Sequence, residues 1–328
     1  MAKVLVTGAE GFIGSHVVEA LVRDGQSVRA HVLYNSFNSW GWLEQLPASV
    51  MSQVEVFLGD MRDVARTREA VRGTQHIIHL ASLIAIPYSY VATRSYVDTN
   101  VIGALNVLEA ARDMGIERVV HTSTSEVYGS AQRVPMSEDH PVVGQSPYSA
   151  SKIAADQLAI AYHRSFGVPV VTVRPFNVYG PRQSARAFIP SVLMQLLDGA
   201  AHVRVGSLAP TRDLTFVEDT AAGFVSALRA PDIEGEVINL GSGFEMSMRC
   251  VVDTLVRLTG ARAEIVVDAD RVRPAASEVD RLLCDNSKAK RLLGWLPSVS
   301  LDEGLRRTVA WFADSANRSG YKSGIYNQ

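Results

Sequence analysis

Cysteine is nearly absent. The chain of 328 residues holds two, Cys250 and Cys284. That excludes a disulfide framework and fits a reducing compartment, so the cytoplasm is the expected location. A basic excess is missing too: 32 Lys and Arg stand against 34 Asp and Glu, for a net charge of −2. A nucleic-acid-binding surface needs such an excess, so no nucleic-acid partner is expected, although a few local arginines suffice to hold a diphosphate. The apolar runs fall far short of a membrane span, and no membrane partner is expected. Met1-Ala2-Lys3 leads directly into a short apolar strand pattern, without the apolar core and cleavage site of a secretory signal. Internal repeats and low-complexity segments are also lacking.

What is present is the composition of a globular enzyme, 47% hydrophobic and 20% charged, at a length that suits two lobes. Strand patterns fall at Lys3–Thr7, Ser27–Leu33, Val54–Leu58, His76–Leu80, Arg118–Thr122 and Val170–Arg174. Helical patterns run over Ser15–Asp24, Tyr96–Met114 and Pro147–Phe166. This alternation predicts βαβ units and a parallel, doubly wound α/β sheet of the Rossmann type, with ligands at the carboxyl ends of the strands. After Pro175 the rhythm breaks into loops, short helices and short strands. The expected division is therefore a dinucleotide-binding domain at 1–175 and a smaller α/β substrate domain at 176–328. The strand-like stretches Leu214–Val217 and Val237–Leu240 are candidates to return to the main sheet. The polar tail from Ser315 is open between a loose segment and one that docks.

Gly8, Gly11 and Gly14 form G-x-x-G-x-x-G between the first strand and the first helix. Missing side chains there permit a tight turn and close approach of a pyrophosphate to the helix N-terminus. The second strand ends in Tyr34-Asn35-Ser36-Phe37-Asn38, without the acid that NAD-preferring sites usually carry and without a basic residue for a 2′-phosphate. Asn35 and Ser36 are the neutral candidates for the ribose. The reading leans to NAD and leaves NADP open. Asp60 ends the third strand, where it suits an adenine amino group or a helix N-cap before Arg62.

Tyr148 and Lys152 stand four residues apart at the start of a helix, and so share a face. A nearby ammonium favours the phenolate, which gives a base able to take a hydroxyl proton. Thr124, Ser125 and Glu126 follow the fifth strand at the crevice end. Thr124 is placed to bond the sugar hydroxyl and Tyr148. Glu126 suits proton abstraction beside a carbonyl, or the bland role of a helix-start carboxylate. His76 and His79, three apart on a strand, point to opposite faces, so no metal site is expected.

With these motifs in this order, and with Arg174-Pro175-Phe176-Asn177-Val178-Tyr179-Gly180-Pro181 after them, the sequence resembles the extended short-chain dehydrogenase/reductases that act on nucleotide sugars. The likeness spans nearly the whole chain. It implies NAD, a nucleotide-sugar substrate and a homodimer joined through helices at Tyr96–Met114 and Pro147–Phe166. It adds Phe12, Ile13, Met61, Leu80, Ala81, Ser82, Thr99, Thr122 and Pro175 to the cofactor contacts, and gives Lys152 the nicotinamide ribose. On the substrate side it implies Asn177, Arg186, Arg212 and Arg273 around the diphosphate of UDP or GDP. Within the family the sequence is most similar to 4,6-dehydratases of the legionaminic-acid branch, which act on a nucleotide-linked N-acetylglucosamine. Tyr34 to Trp42, Thr124 to Gly129, Gly180 to Arg186 and Gly324 to Asn327 carry that likeness. Ser125 stands where these dehydratases usually carry Asp, and the Thr-Ser-Glu version also occurs in relatives that decarboxylate UDP-glucuronate. The implied reaction is therefore 4,6-dehydration, with decarboxylation and 4-epimerisation as alternatives. A silent NAD-binding protein is the reading from another class, and the intact Tyr148–Lys152 pair speaks against it.

Overall fold

The computed structural model describes residues 2–322. The ending Gly324 to Asn327, part of the legionaminic-type likeness, lies outside the described residues. Six strands precede residue 176: β1 (Lys3–Thr7), β2 (Ser27–Leu33), β3 (Val54–Gly59), β4 (His76–His79), β5 (Arg118–Thr122) and β6 (Val170–Pro175). Beyond them lie β7 (Asn177–Tyr179), β8 (His202–Val205), β9 (Thr211–Phe216), β10 (Val237–Leu240), β11 (Glu245–Ser247) and β12 (Glu264–Val267). The main sheet has seven parallel strands in the order β10-β6-β5-β4-β1-β2-β3. The chain reverses direction of growth between β1 and β4, and the crevice at that switch point is where such sheets bind ligands.

Each central strand is a β-branched run covered by helices on both faces, so it reads as continuously apolar rather than alternating. Val4, Leu5 and Val6 of β1 are fully buried, worth about 1.5–3 kcal/mol each in transfer free energy. One cluster under the helix Phe12–Arg23 joins Val4 and Val6 to Val17, Val18, Leu21, Val28 and Phe224, while Leu5 packs on the other face with Ile77, Val107 and Val119. A second core lies elsewhere, around Leu193, Val203, Phe216, Val252, Leu255 and Phe312.

Val237–Leu240 does join the main sheet, beside β6. The stretch around Leu214 does not: β9 lies in a separate three-stranded sheet, parallel to β7 and antiparallel to β11. Its immediate neighbours in space are the short strand after Pro175 and the one after Phe244, and they compete successfully for its hydrogen bonds. The expected helix Tyr96–Met114 is also interrupted. Val97–Ile102 forms a π-helical turn ahead of the α-helix Gly103–Met114. That turn lets Asn100 face inward, where its amide donates to the Leu83 carbonyl and Ser151 Oγ and its oxygen accepts from the Leu83 N–H. Of the tail, Ser315–Arg318 is a short helix and Tyr321 docks against Trp311, Phe312 and Trp42. Trp42 therefore packs the first half of the chain onto the C-terminal helix Leu301–Ala313. No helix among the described residues is long and apolar enough to cross a membrane.

Candidate active site

The glycine loop makes the floor of the crevice. Gly8 adopts φ +66°, and a Cβ there would come within 2.9 Å of the Ala81 backbone. At Gly14 a Cβ would lie 2.1 Å from the Gly8 carbonyl oxygen. The first position thus needs glycine for its conformation and the second for packing of the helix onto the loop. Leu80 and Ala81 N–H both donate to Thr7 Oγ1, at 3.1 and 3.0 Å, which locks the ends of β1 and β4 together. Gly11, Phe12 and Ile13 begin the helix whose N-terminal N–H groups face this turn. Ser82, Thr99 and Pro175 are partly or fully buried near the same strand ends. The Met61 carbonyl is taken by Thr67 and Asn106. This donor set and cradle fit a dinucleotide.

Two of the sequence expectations for the adenosine end change. Asn35 uses its whole side chain inside its own loop: Oδ1 accepts from Phe37 and Ser39 N–H, and Nδ2 donates to the Leu33 and Ser39 carbonyls. An amide has two donors and two acceptor sites, so nothing is left for a ribose. Ser36 is exposed on that loop. Asp60 is gripped by the Arg62 guanidinium and accepts the Arg62 N–H at 2.9 Å, which holds its carboxyl below the usual range. The helix N-cap next to it is Asp63, which accepts the Arg66 N–H.

The catalytic candidates meet along one helix face. Pro147–Phe166 is started by Ser146, which exchanges hydrogen bonds with Ser149, and stopped by Gly167 at φ 68°. Tyr148, Lys152 and Asp156 recur every four residues and all are buried. Three consecutive residues of the β5 end answer them. Lys152 Nζ donates to the Thr122 carbonyl at 2.6 Å. Ser123 Oγ donates to Asp156 at 2.7 Å. Thr124 hydrogen-bonds the Tyr148 phenol. Thr124 Oγ1 also accepts the Glu126 N–H at 3.2 Å, which fixes its position beside Tyr148.

Burial raises the Tyr148 phenol, the Thr124 bond lowers it, and the Glu126 charge raises it again. The net direction is upward, contrary to the expected lowering by Lys152. The lysine is turned to the Thr122 carbonyl, and burial and nearby carboxylates outweigh it. Burial pulls Lys152 down to about 8, opposed by Asp156. Asp156 was not singled out by sequence, although it continues the four-residue spacing. Besides Ser123 it pairs with Arg174 at 2.9 Å and His121 at 3.2 Å. Replacing Asp156 by Ala would leave the buried Arg174 uncompensated. Thermal or denaturant unfolding should show a loss of about 3–5 kcal/mol. A wild-type midpoint would mean that this network contributes nothing.

Ser125 and Glu126 lie buried in the 3-10 turn Ser125–Tyr128. The Glu126 charge reaches both Tyr148 and Arg212. Arg212 is lowered by burial against the pull of Glu126. Its guanidinium donates to Glu278 at 3.1 Å, and Arg273 approaches the same Glu278 oxygen at 3.7 Å. Two guanidiniums on one carboxylate leave positive charge for an anion. Asn177 keeps Oδ1 buried without a partner. Arg186 is exposed, and its charge acts on the Tyr96 phenol. Arg182, by contrast, ties its loop to the first helix through Glu19 at 2.8 Å.

Residues 5–308 match the family model described as GDP-mannose 4,6 dehydratase. The chain belongs to the extended short-chain dehydrogenase/reductase family of nucleotide-sugar dehydratases and epimerases. It is 35% identical to a dTDP-glucose 4,6-dehydratase of an Actinoplanes species, over 97% of this chain and 99% of the relative. The dTDP-glucose 4,6-dehydratase of Streptomyces venezuelae, solved with NAD and TYD bound, superposes with a TM-score of 0.87 at 32% identity, covering 98% and 99% of the two chains. The UDP-glucuronic acid 4-epimerase of Bacillus cereus, solved with UDP-glucuronic acid and NAD, gives 0.85 at 28% identity, covering 94% and 98%.

Proposed function

We propose that this family member is a 4,6-dehydratase that converts a UDP- or GDP-linked N-acetylglucosamine into the 4-keto-6-deoxy sugar. The observation that carries the reading is Glu126, a buried carboxylate within electrostatic reach of both Tyr148 and Arg212. A 4-epimerase has no need of a base at this place. The Trp40-Gly41-Trp42 stretch supports the N-acetylglucosamine branch.

The cofactor is NAD, which supplies a hydride acceptor at sugar C4 and a hydride donor at C6. Tyr148, having given its own proton to solvent, takes the C4 hydroxyl proton as the phenolate, with Thr124 bonded to its oxygen. Lys152 holds the nicotinamide ribose. The 4-keto group acidifies C5, and Glu126 removes the C5 proton. The C6 hydroxyl then leaves as water. Serine is a donor but a very weak acid, so Ser125 cannot replace the usual Asp as proton source. Glu126, protonated once it has taken the C5 proton, then gives that proton to the departing oxygen. A solvent proton returns to C5. Arg212 and Arg273 hold the diphosphate, with Asn177 and Arg186 beside the sugar and nucleotide.

The test is mass spectrometry of products from UDP-, GDP- and dTDP-linked glucose, N-acetylglucosamine and glucuronate. Loss of one water from an N-acetylglucosamine nucleotide is expected; no loss of water from any of them would sink the reading. Ser125 favours the second reading, UDP-glucuronate decarboxylation or 4-epimerisation. Loss of carbon dioxide, or an isomer of unchanged mass, would mark these.

We also propose a homodimer through the helical layer of residues 97–114 and 147–166, where Val97, Ile102 and Phe166 are exposed. Equilibrium sedimentation should give twice the chain mass, and a monomer at micromolar concentration would contradict it.

A further inference from the structure

We infer that Glu10 supplies the carboxylate that reads the adenosine ribose 2′-hydroxyl of NAD, in place of the acid missing from the end of β2. The inference rests on the NAD reading above and adds the residue that sets NAD against NADP.

Glu10 lies inside the glycine motif, between Gly8 and Gly11. Its backbone is fixed from two sides. The Trp42 N–H donates to its carbonyl at 3.0 Å. Gly41 comes so close that a Cβ there would sit 2.7 Å from that same oxygen. Its side chain reaches across to the end of β2, where Oε1 accepts the Leu33 N–H at 2.9 Å. Oε2 is buried and has no hydrogen-bond partner. Burial accordingly raises the Glu10 carboxyl, and the Leu33 bond opposes it.

A buried carboxylate oxygen without a donor is costly unless something supplies one. The oxygen lies at the strand end where dinucleotide sites recognise the ribose. Two further polar groups of that corner are engaged. Asn35 is saturated within its loop, and Asp60 is held by Arg62. A ribose hydroxyl is a donor of the right kind for Oε2. A 2′-phosphate there would instead meet a carboxylate, with like-charge repulsion and no proton to give.

The experiment is calorimetric titration of the full chain stripped of nucleotide. The probes are NAD, NADP and the NAD analogue that lacks the adenosine 2′-hydroxyl. The wild-type protein should bind the deoxy analogue about tenfold or more weakly than NAD, as expected for a hydrogen bond to a charged group. Glu10→Gln should reduce that discrimination to within about threefold and narrow the preference for NAD over NADP. Equal binding of NAD and its deoxy analogue by the wild type would overturn the assignment, whether or not the variant folds. So would a folded Glu10→Gln variant with undiminished discrimination. Failure of the wild type to bind NAD at all would overturn the cofactor reading as well, and so the two failures are distinguishable.

Discussion

Replacing Tyr148 by Phe should lower kcat by about a thousandfold while leaving the fold and NAD binding intact. The substitution removes one oxygen from a buried ring that packs edge-on against Tyr96. The ring volume stays, so no cavity forms. What goes is the atom that Thr124 bonds and that takes the C4 proton. Positioned general bases contribute about 10²–10⁴ in rate, and nothing adjacent substitutes. Lys152 is directed at the Thr122 carbonyl, and Glu126 belongs to the next step. The measurement is a steady-state assay of the variant with the substrate identified by mass spectrometry, alongside an NAD titration. A kcat within tenfold of wild type would remove Tyr148 from the chemistry. Lost NAD binding would show that the effect is on assembly of the site.

Glu126→Gln should separate the two halves of the reaction. Oxidation at C4 uses Tyr148 and persists. Elimination needs a base at C5, and an amide is not one, so dehydration should fall by about 10²–10⁴. A rapid-quench experiment should find a 4-keto sugar that still carries its C6 hydroxyl. Wild-type dehydration in this variant would leave Glu126 with no more than the helix-start role. The change also removes a negative charge that acts on Arg212, so binding of the diphosphate is not expected to weaken.

The sheet was legible because its strands are short β-branched runs closed by turn residues, and such runs depend on little outside themselves. Lys3–Thr7, Ser27–Leu33, Arg118–Thr122 and the helix Pro147–Phe166 have the boundaries that their sequence pattern implies. The pairing of β9 was not legible, since its partners β7 and β11 lie over thirty residues away in either direction. Nor was the π turn at Val97–Ile102, because a single extra residue per turn hardly alters a helical pattern. At the site, residue types were readable and their commitments were not. Asn35 reads as a free amide, but Phe37 and Ser39 N–H use it. Asp60 and Asp63 both precede a helix, and only geometry makes the second the cap. The Tyr148–Lys152 spacing names a face but says nothing of how deep that face is buried. Burial depth decides the direction in which both groups titrate. Glu10 was passed over because it sits in a motif read for its glycines.

The central claim is that the chain removes water from its sugar by way of a C5 proton transfer. The most direct test is the reaction run in deuterium oxide, with the product analysed by mass and NMR. The account predicts a 4-keto-6-deoxy sugar that has lost one water and gained one deuterium, at C5. An isomer that keeps its C6 hydroxyl and carries no deuterium would contradict it and make the enzyme a 4-epimerase.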